Sequence, residues 1–251
     1  MRDAMSTTPR SARHGDHAPS RPPVSRASRQ IGTLFAVEVL LLWVLGLALV
    51  GSSNTGLLSP LDQRVADAVG LAATGGAHTV AAAITWLGSA VMLIPLVALI
   101  AVVARRRHSW TPVVTAALAI GGAEAVSQVV KRLIERPRPS GASAHGFAFP
   151  SGHATFAAAT FLTLALMVNA RRRRHLAVAL AVACTAAVSW SRLALGVHWL
   201  SDVTAGALVG WSWAIAAAVV VAAPSQTRVT WQRSASARKA ESARRGPSSG
   251  R

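Results

Sequence analysis

Six apolar stretches joined by polar connections organise the chain, at about 31–50, 79–104, 112–130, 154–170, 175–190 and 199–223. Each is near the roughly 20 residues that cross a hydrocarbon core. Backbone polar groups in lipid must find partners inside the protein, so such stretches are predicted to be helices and not isolated strands. The pattern therefore predicts an all-α fold, an integral membrane six-helix bundle over residues 31–223. Pro95 lies inside the second stretch and is expected to kink it, because it removes an N–H and its ring crowds the preceding turn. Arginines ahead of the first stretch also suit a signal peptide, but about 20 apolar residues and no small-x-small site before Gly51 predict a retained helix.

Between the first two stretches Pro60 opens a segment in which Leu61, Val65 and Val69 recur every four residues, while Asp62, Gln63, Arg64 and Asp67 fill the other face. This predicts a short amphipathic helix on the outer leaflet, either covering a site or guiding a headgroup, or simply linking two spans. Residues 1–30 and 224–251 are rich in Ser, Pro, Arg and Ala and are predicted to be disordered basic cytoplasmic tails.

Composition agrees with the pattern: 52% of the 251 residues are hydrophobic and only 9 are acidic. A net charge of +17 suggests nucleic acid, but a nucleic-acid reader presents its cations on one solvated face, and here they cluster between apolar runs. They read instead as topology. The N-terminal tail, Arg105–Arg107, Arg171–Arg174 and the C-terminal tail hold most of the 26 lysines and arginines and fall on one side of the bundle. The positive-inside rule makes that side cytoplasmic, which predicts a multi-pass protein of the plasma membrane with both termini cytoplasmic. Lys131, Arg132, Arg136, Arg138 and Arg192 lie at the opposite, extracytoplasmic side, against the charge rule, which favours a chemical reason for them. Cys184 is the lone cysteine and reads as a small apolar side chain.

Three polar strings carry the candidate chemistry: Lys131-x6-Arg138-Pro139, Pro150-Ser151-Gly152-His153, and Ser191-Arg192-x5-His198-x3-Asp202. A phosphate ester repels nucleophiles until fixed cations and donors surround its oxygens. Lys131, Arg138 and Arg192 are such cations. The turn at Ser151 and Gly152 opens a helix whose first N–H groups lack helical partners, and so can cradle an anion. Asp202 follows His198 by four residues, one helical turn, where a carboxylate can hold one ring nitrogen and leave the other free to attack phosphorus. His153 then remains as acid for the leaving alkoxide and base for water. Individually these residues have plainer readings, as snorkelling cations, a first-turn histidine and an aromatic-belt histidine. Asp202 is the sole carboxylate among the defined positions of the strings, so no metal or other cofactor is expected.

The ordered strings resemble the signature of the type 2 phosphatidic acid phosphatase family, shared with vanadium-dependent haloperoxidases, at every defining position. The resemblance implies His198 as nucleophile, Asp202 as its orienting partner and His153 as general acid. It implies Lys131, Arg138, Ser151, Gly152 and Arg192 as the phosphate-binding set, in a metal-independent membrane phosphatase. The expected partner is a lipid phosphate or diphosphate in the outer leaflet, with membrane lipids around it and no nucleic acid. Phosphatidate-type, phosphatidylglycerol phosphate and polyprenyl diphosphate substrates share the terminal phosphate, and a lipid phosphotransferase differs only in its acceptor. A haloperoxidase or a non-catalytic membrane scaffold are the competing classes. The loop 140–149 is short and argues against an elaborate lid. Glu38 and Glu124 lie inside spans without an assigned role, and Gly206 and Gly210 form a G-x-x-x-G pair suited to packing within the bundle or to a dimer face.

Overall fold

A computed structural model describes residues 26–51 and 55–222. These form α1 (Arg26–Leu49), α2 (Ser59–Ala72), α3 (Gly76–Ile84), α4 (Leu93–Arg106), α5 (Thr111–Ile134), α6 (Gly152–Leu166), α7 (Arg171–Ala194) and α8 (Leu200–Ala222), with no strand among the described residues. Helices α1, α5, α7 and α8 are long and apolar enough to cross a membrane. The second predicted span is instead a broken one, with α3 and α4 joined through two 3-10 turns and bent by 51°. The fourth is α6, whose 15 residues rise only about 22 Å. The six predicted spans thus become four whole helices, one bent pair and one short helix.

The bend is not at Pro95, as the sequence suggested. It lies upstream, around Gly88 and the extended Ser89, and Pro95 sits in the first turn of α4, where a missing N–H costs no helical bond. A Cβ at Gly88 would lie 2.7 Å from Val188 Cγ1 and 2.9 Å from the His153 carbonyl. The break is therefore where the chain packs closely against the first turn of α6.

Helix α6 is the centre of the bundle, packed by α5, α7 and α8. Its alanines, Ala154, Ala157, Ala158 and Ala159, are fully buried and let the neighbouring backbones approach. Gly206 and Gly210 serve this packing: a Cβ on Gly206 would lie 2.5 Å from the Ser151 carbonyl, and one on Gly210 would strike the Thr155 carbonyl. Apolar side chains point outward on the surrounding helices, among them Leu40 and Val44 of α1, Ile94 of α4, Leu176 of α7 and Ile215 of α8. That inside-out distribution suits lipid as the surrounding solvent.

Helix α1 is peripheral, with 6% of its most apolar window buried. Glu38, without a partner at sequence level, accepts hydrogen bonds from Ser212 Oγ at 2.6 Å and Trp213 Nε1 at 2.5 Å, tying α1 to α8. At the end bearing Arg105–Arg107, Arg107 donates to Asn169 Oδ1 at 3.2 Å and to the Met167 carbonyl. Both predicted cytoplasmic connections therefore share one end. The polar strings occupy the other, since α5 ends and α6 begins there.

Helix α2 forms where the Pro60 segment predicted a helix, but its polar face does not face water. Asp62 is 1% exposed, whereas Leu61 of the presumed apolar face is 49% exposed. Val65 and Val69 pack toward α7 and α8, and Asp62 turns inward with them. The reason is ionic: its carboxylate meets Arg136. Helix α1 begins at Arg26, ahead of the predicted boundary at residue 31. The disorder expected of 1–30 otherwise concerns residues outside those described, as does that of 224–251.

Candidate active site

The three strings converge at one end of the bundle. Lys131 comes from the last turn of α5, which Glu135 stops with a left-handed φ of 53°. The chain then runs through Arg136, Pro137 and Arg138 and returns by a loop to Ser151, which stands at the N-cap position of α6 without a side-chain capping bond. Arg192 lies in the last turn of α7, and His198 lies two residues before α8, where Asp202 sits in the first turn. Lys131, Arg138, Gly152, His153, Arg192 and His198 line one cavity of about 670 Å³. Ser151 and Asp202 are fully buried behind it.

His198 is 2% exposed. Its Nδ1 lies 3.3 Å from Asp202 Oδ2, and that oxygen also accepts the Trp199 N–H at 2.9 Å. Its Nε2 lies 3.0 Å from Arg138 Nη1. Burial pushes the His198 imidazole down to about 4, against the upward pull of Asp202 and with the help of the positive charges of Arg138 and Lys131. Arg138 is held by the carbonyls of Val197 at 2.7 Å and Gly146 at 3.0 Å. Burial also lowers its guanidinium.

Lys131 donates to the Pro150 carbonyl, joining α5 to the turn that begins α6. Ser151 N–H bonds the Asp202 carbonyl at 2.9 Å, joining that turn to α8. Arg192 Nη1 donates to Thr85 Oγ1 at 2.7 Å. Two polar atoms beside the cavity, Ser151 Oγ and Arg192 Nε, are buried with no hydrogen-bond partner. Buried polar groups are normally satisfied, so two such donors beside one cavity fit an absent oxyanion. A Cβ on Gly152 would meet nothing within 4 Å, so that glycine leaves open space on the cavity side. The loop 140–149 does reach the site, with Ala144 and His145 at the cavity wall. Glu124 and Gln128, hydrogen-bonded to each other at 2.5 Å, extend the same cavity along α5.

Sequence reasoning missed Arg136 and Asp62. Arg136 is fully buried, donating to Asp202 Oδ1 at 2.6 Å, Ser201 Oγ at 2.7 Å and Asp62 Oδ2 at 2.7 Å. Its guanidinium carbon lies 5.3 Å from the centroid of the Trp199 ring. Its position in the charge-rich string could have flagged it, but nothing local links it to Asp62.

Known proteins resemble this chain in sequence and in fold. Residues 112–224 match the model of the PAP2 superfamily. Over 67 residues, 27% of this chain, the sequence is 45% identical to phosphatidylglycerophosphatase B of Escherichia coli K12, and that match spans 26% of the relative's length. Phosphatidylglycerophosphatase B of Bacillus subtilis is 28% identical over 178 residues, covering 67% of this chain and 87% of the relative. The crystal structure of a transmembrane PAP2 type phosphatidylglycerolphosphate phosphatase from Bacillus subtilis superposes with a TM-score of 0.58 at 25% identity, over 77% of this chain and 92% of that one. The Aquifex aeolicus LpxE structure shares the fold, with a TM-score of 0.52 at 21% identity over 62% of this chain and 94% of that one. With the three strings gathered about one cavity at the end of a helical membrane bundle, these matches agree with the resemblance to the type 2 phosphatidic acid phosphatases of the PAP2 superfamily, whose model covers residues 112–224.

Proposed function

We propose that the protein is a metal-independent membrane phosphatase that hydrolyses a lipid phosphate through a phosphohistidine on His198. The observation that carries this reading is the pair of unpartnered buried donors, Ser151 Oγ and Arg192 Nε, beside the cavity that His198 lines. Lys131, Arg138, Arg192, Ser151 and the open N–H groups at Gly152 hold the phosphoryl oxygens. His198 Nε2 attacks phosphorus, the phosphorus–oxygen bond to the lipid breaks, and His153 gives its proton to the departing oxygen. Water then loses a proton to His153 as it attacks phosphorus. The nitrogen–phosphorus bond breaks, and inorganic phosphate and both histidines are restored.

The site faces the extracytoplasmic side of the plasma membrane, since the arginine-rich connections lie at the other end. Among lipid phosphates, phosphatidylglycerol phosphate is favoured by the relatives that share this name in two bacteria. Phosphatidate and a polyprenyl diphosphate offer the same terminal group. Purified full-length protein in detergent, with EDTA throughout, should release phosphate from at least one of these three lipids. No release from any of them, or a loss on chelation that magnesium restores, overturns the reading.

A further inference from the structure

Asp202 has two oxygens with different tasks. Oδ2 faces His198 and caps the Trp199 N–H, reaching back as the third residue of a helix does in a capping box. Trp199 has no side-chain acceptor to complete that box, and Asp62 of α2 completes it from outside: its Oδ1 accepts the Ser201 N–H at 2.9 Å and its Oδ2 accepts Ser201 Oγ at 2.5 Å. Arg136 closes the ring by spanning Asp62 Oδ2 and Asp202 Oδ1. Neither Asp62 nor Arg136 lines the cavity of His198; both face a separate one of about 500 Å³. Asp62 also lies outside the stretch matched to the family.

We propose that Asp62 and Arg136 are positioning residues for His198: Arg136, held by Asp62, grips Asp202 by its outer oxygen, so that the inner one orients the ring while carrying only part of the carboxylate charge. The inference rests on His198 being the nucleophile. Other charged or titratable groups facing the ring's cavity are Arg138 and His145 of the connection, Lys131 and Glu124 of α5, His153 of α6 and Arg192 of α7, and all remain when Arg136 is changed. Without Arg136 the full charge of Asp202 bears on the ring and favours imidazolium, which cannot attack phosphorus. With Lys at 136 the cation persists.

The test is the pH profile of kcat/KM on a soluble aryl phosphate, whose acid limb reports the free enzyme. In Arg136→Gln the limb should move up by about one to two pH units, whereas in Arg136→Lys it should stay at the wild-type position. Arg136→Gln leaves Asp62 uncompensated and can fail to fold. The double variant Asp62→Asn with Arg136→Gln removes both charges and should show the same upward shift. Asp62→Asn alone keeps the shape and should lower kcat about 10- to 100-fold through misplacement of the ring, with KM within about twofold of wild type and no upward shift of the limb. An unshifted limb in whichever glutamine variant folds, or wild-type kcat in Asp62→Asn, overturns the inference. Absence of a trapped phosphoenzyme in the wild type overturns the reading of His198 itself, a separate failure.

Discussion

Arg138 Nη1 sits 3.0 Å from Nε2 of His198, and a guanidinium can only donate. The lone pair of the ring therefore lies on Nε2 and its proton on Nδ1, toward Asp202 Oδ2. The atom proposed to attack phosphorus is thus already aimed at a cation that phosphate would engage. An arriving phosphoryl group would draw the guanidinium off the nitrogen and take its place along the same line.

The two histidines should separate by leaving group. His198→Ala should abolish both turnover and the trapped phosphoenzyme. His153→Ala removes the acid, a loss of about 10² to 10⁴-fold for a lipid alkoxide and much less for p-nitrophenolate, which leaves unaided. Asp202→Asn should fall between them, because the ring keeps its place and loses the charge behind it. Equal loss in His153→Ala on both substrates, measured as kcat, would reverse the assigned roles.

Acid should affect His198 later than a solvated histidine. With the ring held down at about 4, the neutral nucleophile persists well below the ordinary histidine value of about 6.5. Rapid-quench phosphoenzyme formation should lose its nucleophile with a midpoint near 4. The ester's own second ionisation near pH 6 should add an inflection common to all variants. The linkage has a definite sign: between these two values the unfolded chain binds the extra proton, so stability is complete above about 6.5 and declines as pH falls toward 4. The melting temperature in detergent should drop across that window, and less so in His198→Gln. A kinetic midpoint near 6.5 would contradict the burial argument.

Orientation can be read by labelling. Ser143 is exposed in the loop beside the site, so Ser143→Cys in a Cys184→Ser background should react with an impermeant thiol reagent on intact cells. Ser236→Cys, in the C-terminal tail, should react only after lysis. The opposite pattern would invert the proposed topology.

Glycines at the α6–α8 contact should tolerate nothing larger. In Gly210→Leu the new Cβ meets the Thr155 carbonyl and the Ala159 nitrogen, backbone atoms that cannot swing away, and overpacking of this kind typically costs about 1–3 kcal/mol or more. Gly70→Ala in α2, with open space around it, should be neutral or stabilising by up to about 1 kcal/mol. Detergent melting curves and monodisperse yield would distinguish the two, and a Gly210→Leu protein as stable as wild type would contradict the packing described.

Much of the architecture was legible because membrane helices announce themselves in runs of apolar residues, and because the motif residues sit within about a turn of helix ends. The structure brings all eight predicted site residues to one cavity or directly behind it. What escaped was long-range. Asp62 bonds a residue 139 positions away, and its helical pattern alone placed it toward water. Glu38 finds Trp213 at a separation of 175. The break near Gly88 answers to Val188 and His153 of other helices, so Pro95, the obvious local breaker, was misleading.

The hydrogen bonds of Glu38 also set an order of assembly. Its acceptors' partners, Ser212 and Trp213, belong to the last helix, so during synthesis the first helix waits in the bilayer with a carboxyl group unmatched until almost the whole membrane domain has emerged. A lone carboxylate in hydrocarbon is costly, and the packing of α1 against α5 supplies none of the donors that Glu38 meets on α8. The α1–α5 contact is available early, and the Glu38 bonds to α8 consequently close last, joining first helix to last as a clasp joins the ends of a band. Chains truncated after Ala194 should leave a cysteine introduced at Val39 of α1 open to membrane-soluble thiol reagents, and the full chain should shield it; equal labelling of both would remove the clasp.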